Sequence, residues 1–189
     1  MLCRVAYRVR ARCFQLKAGN QEAMPTASSV EPRSETHLEY YLRPALFIPE
    51  LKNKKKSSVL EEMVAHLAQH QIARQADALL EVLRQREALG STGIGKGIAV
   101  PHARSTMVAE RAVLLARSSK GVEFDAADEN PVHLIFMIVA PPTERDPIYL
   151  QMLAQIVRAV RLAPARRRIL EAPDFAAIRT LIGAQLSDE

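Results

Sequence analysis

Apolar positions along this chain follow two rhythms, one with helical spacing and one in short continuous runs. Val59, Met63 and Leu67 recur at helical spacing after Ser58, which stands three residues before Glu61 in capping-box order, and predict a helix over 58–70. Ala76, Leu79, Leu80 and Leu83 form a second stripe that should stop at Gly90, so the two segments predict a helical hairpin. Pro44 to Leu51, Ile98 to Val100, Ala112 to Arg117 and Val132 to Ala140 are short apolar runs and predict strands. The last of these, VHLIFMIVA, is apolar on both faces, as a central strand covered by helices would be. After Pro147 the stripe Leu150, Leu153, Ile156, Val157 and Val160 predicts a helix to about 162, succeeded by helices over 165–170 and 174–186, the last opened by Asp174. Strands and helices alternate, which predicts an α/β fold: a single domain with a mixed β-sheet flanked by helices.

Charge sharpens the domain boundary. The chain has 189 residues and a formal charge of +5, but residues 1–20 hold Arg4, Arg8, Arg10, Arg12 and Lys17 with no acid. Removing those five of the 26 bases leaves 21 against 21 acids, so the rest is formally neutral and no basic face is expected to bind nucleic acid. Residues 21–36 are Ser-, Glu-, Pro- and Ala-rich without periodicity and read as a linker. Residues 1–37 are therefore expected to be a basic, disordered extension, with Met24 an alternative start, and 38–187 the folded domain. Cys3 and Cys13 both lie in the extension, which leaves no disulfide or thiolate metal site for the core and fits a reducing, cytoplasmic compartment. No run approaches the roughly 18–20 apolar residues that cross a bilayer, so membrane insertion is not expected.

Candidate chemistry concentrates in one turn. Gly90 to Gly97 (GSTGIGKG) nearly spells a phosphate-binding P-loop, but Gly97 stands where Ser or Thr must ligate magnesium, and the turn comes after a helix instead of opening one. Four glycines in eight residues still require close backbone approach or positive φ. The turn leads into Val100-Pro101-His102, a histidine expected just past a strand that Pro101 ends, where a loop presents one ring nitrogen while a carbonyl fixes the other. Histidine can form covalent intermediates, and on phosphorus the remaining task is charge stabilisation by amides and arginines.

The stretch REALGSTGIGKGIAVPHAR, Arg86 to Arg104, closely resembles the active-site signature of the phosphotransferase-system enzyme IIA family of the fructose/mannitol and nitrogen-related class. Gly121 to Pro142 looks like that family's second block, and the resemblance spans about residues 42–186. It implies the enzyme IIA fructose/mannitol-type fold for the domain. It also implies a phosphotransferase, a histidine phosphocarrier in which His102 accepts a phosphoryl group on Nε2 from an HPr-type carrier. Arg86 then holds the place of a phosphate clamp, and Thr92 and Gly93 are candidates to donate hydroxyl and amide hydrogen bonds to phosphate. The family's second histidine, which opens the helix after the Val-Pro segment, is replaced here by Tyr149, which can donate one hydrogen bond but carries no positive charge near neutral pH.

No cofactor or metal is expected. His66 and His70 stand four apart but lack the Glu of a zinc motif, so a solvated helix face is the expectation, and His133 reads as structural. Lys52 to Lys56 and Arg166 to Arg168 read as solvated charge. The free-standing domain favours a regulatory, nitrogen-related output onto a target protein. A IIB acceptor in a fructose/mannitol-type transporter, or a noncatalytic binding module of the same fold, are the alternatives.

Overall fold

The computed structural model describes residues 37–142 and 147–187 of the chain. The expected extension, apart from His37, and both cysteines lie outside the described residues. A short helix α1 (Leu38–Tyr41) leads into β1 (Leu42–Ile48), and α2 (Lys56–Gln69) with α3 (Ala76–Ala88) forms the expected hairpin. Then come β2 (Gly93–Gly95), β3 (Ile98–Ala99), β4 (His102–Arg104), the long β5 (Ala112–Val122) and β6 (Val132–Ala140). Helices α4 (Pro147–Ala159), α5 (Ala163–Glu171) and α6 (Phe175–Ser187) complete the domain.

The strands pair as one mixed sheet in the order β1-β5-β6-β3-β2, with β4 also on β6. β6 is central: it runs antiparallel to β5 and parallel to β3 and β4. Of its nine residues only His133 is not fully buried. Because side chains alternate across a strand, Ile135, Met137 and Val139 enter the core beneath α2 and α3, while Leu134, Phe136 and Ile138 enter the core shared with α1, α4, α5 and α6. The expected α/β domain, a mixed sheet between helical layers, is the architecture found.

Several local expectations are corrected. α2 begins at Lys56, and Lys55, not Ser58, occupies its N-cap with no side-chain cap. Tertiary pairing sets that start, since the Lys56 amide donates to the Glu123 carbonyl at 3.2 Å, so the capping-box order of Ser58 and Glu61 goes unused. β5 continues to Val122 through a register shift after Arg117, where the exposed Ser119 and Lys120 hide its continuation from an apolar pattern. α4 ends at Ala159, three residues before the expected 162. Asp174 does cap α6 as expected, its carboxylate accepting from the Ala177 amide at 2.8 Å. His66 is not merely solvated: its Nε2 lies 2.8 Å from the Ala45 carbonyl and ties α2 to β1. Lys56 likewise is no solvated lysine, lying 2.7 Å from the Asp125 carboxylate and over the Phe124 ring.

Truncating Phe136, fully buried on the face shared with α4 to α6, should cost about 3–5 kcal/mol in urea unfolding of Phe136→Ala. Leu89, 86% exposed, serves as the control, and Leu89→Ala should stay within about 0.5 kcal/mol of wild type.

Candidate functional site

The glycine turn brings α3 back onto the sheet. Gly93 sits so close to the 124–126 segment that an added Cβ would lie 2.7 Å from the Ala126 Cα, a distance only glycine avoids. Gly97 adopts φ +76°, and its carbonyl accepts the His133 and Leu134 amides at the head of β6. The turn thus locks to both neighbouring segments before the chain reaches His102.

Pro101 does not end the strand, as the sequence suggested, but interrupts it. Ile98 faces Leu134 and His102 faces Ile138, so β4 resumes on β6 in the register that β3 kept. Proline lacks only the donor, and its carbonyl still accepts the Ile138 amide at 3.0 Å. Within the interruption the Val100 amide turns to the Thr92 carbonyl at 3.0 Å, and the Val100 carbonyl lies 2.8 Å from Nδ1 of His102.

That contact assigns the tautomer. A carbonyl can only accept, so Nδ1 carries the proton and Nε2 keeps its lone pair. Arg86, in the last turn of α3, donates Nε–H to that lone pair over 3.1 Å and anchors Nη1 on the Gly90 carbonyl at 2.9 Å. Both neighbours therefore require the same ring state. Burial above all, helped by the Arg86 charge, holds the pKa of His102 below the ordinary histidine value, although the Val100 carbonyl and the Glu87 carboxylate pull the other way. The ring is half-buried, so Nε2 belongs to a neutral imidazole at physiological pH.

Tyr149, buried on α4, sets its ring 6.1 Å from that of His102 at 69°. The structure thus gathers His102, Arg86 and Tyr149, as the sequence suggested. Thr92 and Gly93 lie in the adjoining turn, but their donors are engaged. The Thr92 amide donates to Glu87 Oε2 at 3.1 Å, the Thr92 hydroxyl donates to Glu87 Oε1, and the Gly93 amide donates to the Ser91 hydroxyl at 3.2 Å. The Glu87 side chain is only 7% exposed, with Lys56 Nζ 3.5 Å from it, and a carboxylate so covered must be satisfied in this way.

Sequence reasoning missed Glu87, Lys56 and Arg104. Glu87 is separated from Thr92 by a turn whose path was not readable, and Lys56 lay in a run that looked solvated. Arg104 carried a signal: two residues along a strand from His102, it must share that face, and its Cζ lies 5.4 Å from the centroid of the Tyr149 ring. Among the described residues no cluster of three or more His, Cys, Asp or Glu side chains could hold a metal, and no helix is long and apolar enough to cross a membrane. A hollow of about 730 Å³ beside Leu153, Val157 and Arg158 does not include His102.

Residues 41–184 match the family model described as phosphoenolpyruvate-dependent sugar phosphotransferase system, EIIA 2. A PTS system fructose-specific EIIABC component of Bacillus subtilis is 34% identical over 132 residues, covering 70% of this chain and 21% of that protein. A nitrogen regulatory protein of Bradyrhizobium diazoefficiens is 32% identical over 139 residues, 74% of this chain and 90% of that one. The chain therefore spans only about a fifth of the Bacillus protein but most of the Bradyrhizobium one. The crystal structure of nitrogen regulatory protein IIA-Ntr from Neisseria meningitidis superposes with a TM-score of 0.71 at 26% identity, over 77% of this chain and 98% of that one.

The tautomer and the depressed pKa are open to ¹⁵N NMR. His102 should show a protonated Nδ1 and a bare Nε2, and should titrate below about 6.5, the ordinary histidine value. Between its folded pKa and about 6.5 the unfolded chain binds more protons at this residue, so its contribution to stability is present above that window and is lost as pH falls through it. Arg86→Met should move the titration upward, because a repelling charge has been removed.

Proposed function

The chain belongs to the phosphoenolpyruvate-dependent sugar phosphotransferase system EIIA 2 family, and from that premise we propose that it is a phosphocarrier that accepts a phosphoryl group on Nε2 of His102. One observation carries this reading: Nε2 is the unprotonated nitrogen of a half-buried neutral imidazole, with a guanidinium aimed at its lone pair. The proposed donor is a phosphohistidine on an HPr-type protein.

In the transfer, the Nε2 lone pair forms the new P–N bond as the donor's P–N bond breaks. The donor imidazolium leaves as neutral imidazole, and His102 takes over the positive charge with its Nδ1 proton in place. No proton need move at His102. The Val100 carbonyl stabilises that charge through the hydrogen bond it already accepts, and Arg86 shifts Nε–H from nitrogen to a phosphoryl oxygen while Nη1 stays on Gly90. Thr92 and Gly93 join the phosphate's ligands only if the turn rearranges; as placed, they brace the loop. The Tyr149 ring walls the nucleophile on its α4 side.

The acceptor is proposed to be a regulated target protein, because two relatives named nitrogen regulatory protein align over nearly their whole length. A IIB protein is the other candidate, favoured by the fructose-specific relative. Phosphoenolpyruvate is a cytoplasmic metabolite, so this role places the chain in the cytoplasm.

Incubation with enzyme I, an HPr-type carrier and phosphoenolpyruvate should add one acid-labile phosphoryl group, seen by intact mass, and His102→Ala should abolish it. Arg86→Ala should slow the addition by about 10²–10³-fold, the usual loss for one preorganised donor. No addition to wild type from any phosphohistidine donor would leave only a noncatalytic binding module.

A further inference from the structure

A phosphoryl group on His102 brings close to two negative charges into a half-buried site. Arg86 offers one guanidinium there, while the carboxylate of Glu87, the next residue, lies in the same neighbourhood with the opposite sign. Lys56 does not make up the difference, because its ammonium lies 2.7 Å from Asp125 and 3.5 Å from Glu87. The ring's own positive charge and Arg86 offset that group, and further hydrogen-bond donors to its oxygens would hold it more firmly.

We propose that Arg104 supplies them, as a second phosphoryl-binding residue carried on the Tyr149 ring. The inference rests on the reading of His102 as phosphoacceptor. β4 places it: alternation turns Ala103 into the core and leaves His102 and Arg104 on one face, about 6.6 Å apart along the strand. Tyr149 then touches both, its ring 6.1 Å from the His102 ring and 5.4 Å from the Arg104 guanidinium carbon. A guanidinium over an aromatic face is steered by the ring without spending a hydrogen bond on it. Tyr149 is buried and cannot follow a moving group, whereas Arg104 is exposed on a long stem and can. Arg104 makes or breaks no covalent bond. Its N–H groups take equatorial oxygens opposite Arg86 while the P–N bond forms at Nε2 and the donor imidazole departs. The absence of a charge at residue 149 is thereby made good from β4: the phenol supplies the platform and the arginine supplies the charge.

The test uses the full chain with an HPr-type donor regenerated by enzyme I and phosphoenolpyruvate. Arg104→Ala should lower kcat for phosphorylation by about 10²-fold, with Arg104→Lys intermediate because it keeps charge but not the fork. In ³¹P NMR of the phosphorylated protein, Arg104→Ala should also raise the pH at which the phosphoryl resonance titrates, since loss of a nearby cation disfavours its dianion. Tyr149→Leu should slow the wild-type chain but add little to Arg104→Ala, as expected for two residues acting as one unit. An Arg104→Ala variant with wild-type kcat and ³¹P titration would overturn the proposal while the phosphocarrier reading stood. A raised KM alone would make Arg104 a docking residue and overturn it equally. Failure of the wild-type chain to accept phosphate would instead remove the reading beneath it.

Discussion

The hydrogen bond from Nδ1 of His102 to the carbonyl of Val100 is the constraint on which the site depends. It spans two residues, across the break between β3 and β4 where Val100 and Pro101 stand. Proline makes the break without losing the register, since its own carbonyl still pairs with Ile138. The sheet lacks one donor at Pro101, and just past it the imidazole is fixed with its outer nitrogen unprotonated.

A fixed imidazole is useful only on a platform that does not shift. β6 supplies it, being buried on both faces with alternate side chains in two separate cores, so that movement of the strand would disturb both helical layers. The glycine turn adds a second anchor. Glu87, from the helix that carries Arg86, holds the Thr92 amide and hydroxyl, and the Thr92 carbonyl in turn holds the Val100 amide. Arg86 and His102 are therefore referenced to one another through the turn.

Much of this was legible in the sequence, and the limits have physical reasons. The central strand announced itself because burial on both faces erases polar alternation, and His102 with Arg86 stood in one long motif. The start of α2 was misread because local capping chemistry competes with tertiary pairing, and here the Glu123 carbonyl prevailed. Thr92 looked like a phosphate donor because a free hydroxyl beside a glycine turn invites that reading. The carboxylate that claims it comes from five residues upstream, on an element whose approach no periodicity reveals. Arg104 was within reach, since strand alternation alone places it beside His102, but the break at Pro101 disguised β4 as loop.

On the proposed reading of His102 as phosphoacceptor, the electrostatics there serve opposite needs in the two states of the site. Before transfer the nucleophile must be neutral, and burial with the Arg86 charge keeps it so by disfavouring the imidazolium. After transfer the ring is cationic and the group attached to it is strongly anionic, so the same guanidinium turns from a repelling neighbour into an attracting one. Burial penalises the isolated charge far more than the paired one, which means the site favours the ring's positive charge only when phosphate arrives with it. The geometry therefore discriminates between a proton and a phosphoryl group at the same nitrogen: both would make the ring cationic, and only the second brings its own counter-charge.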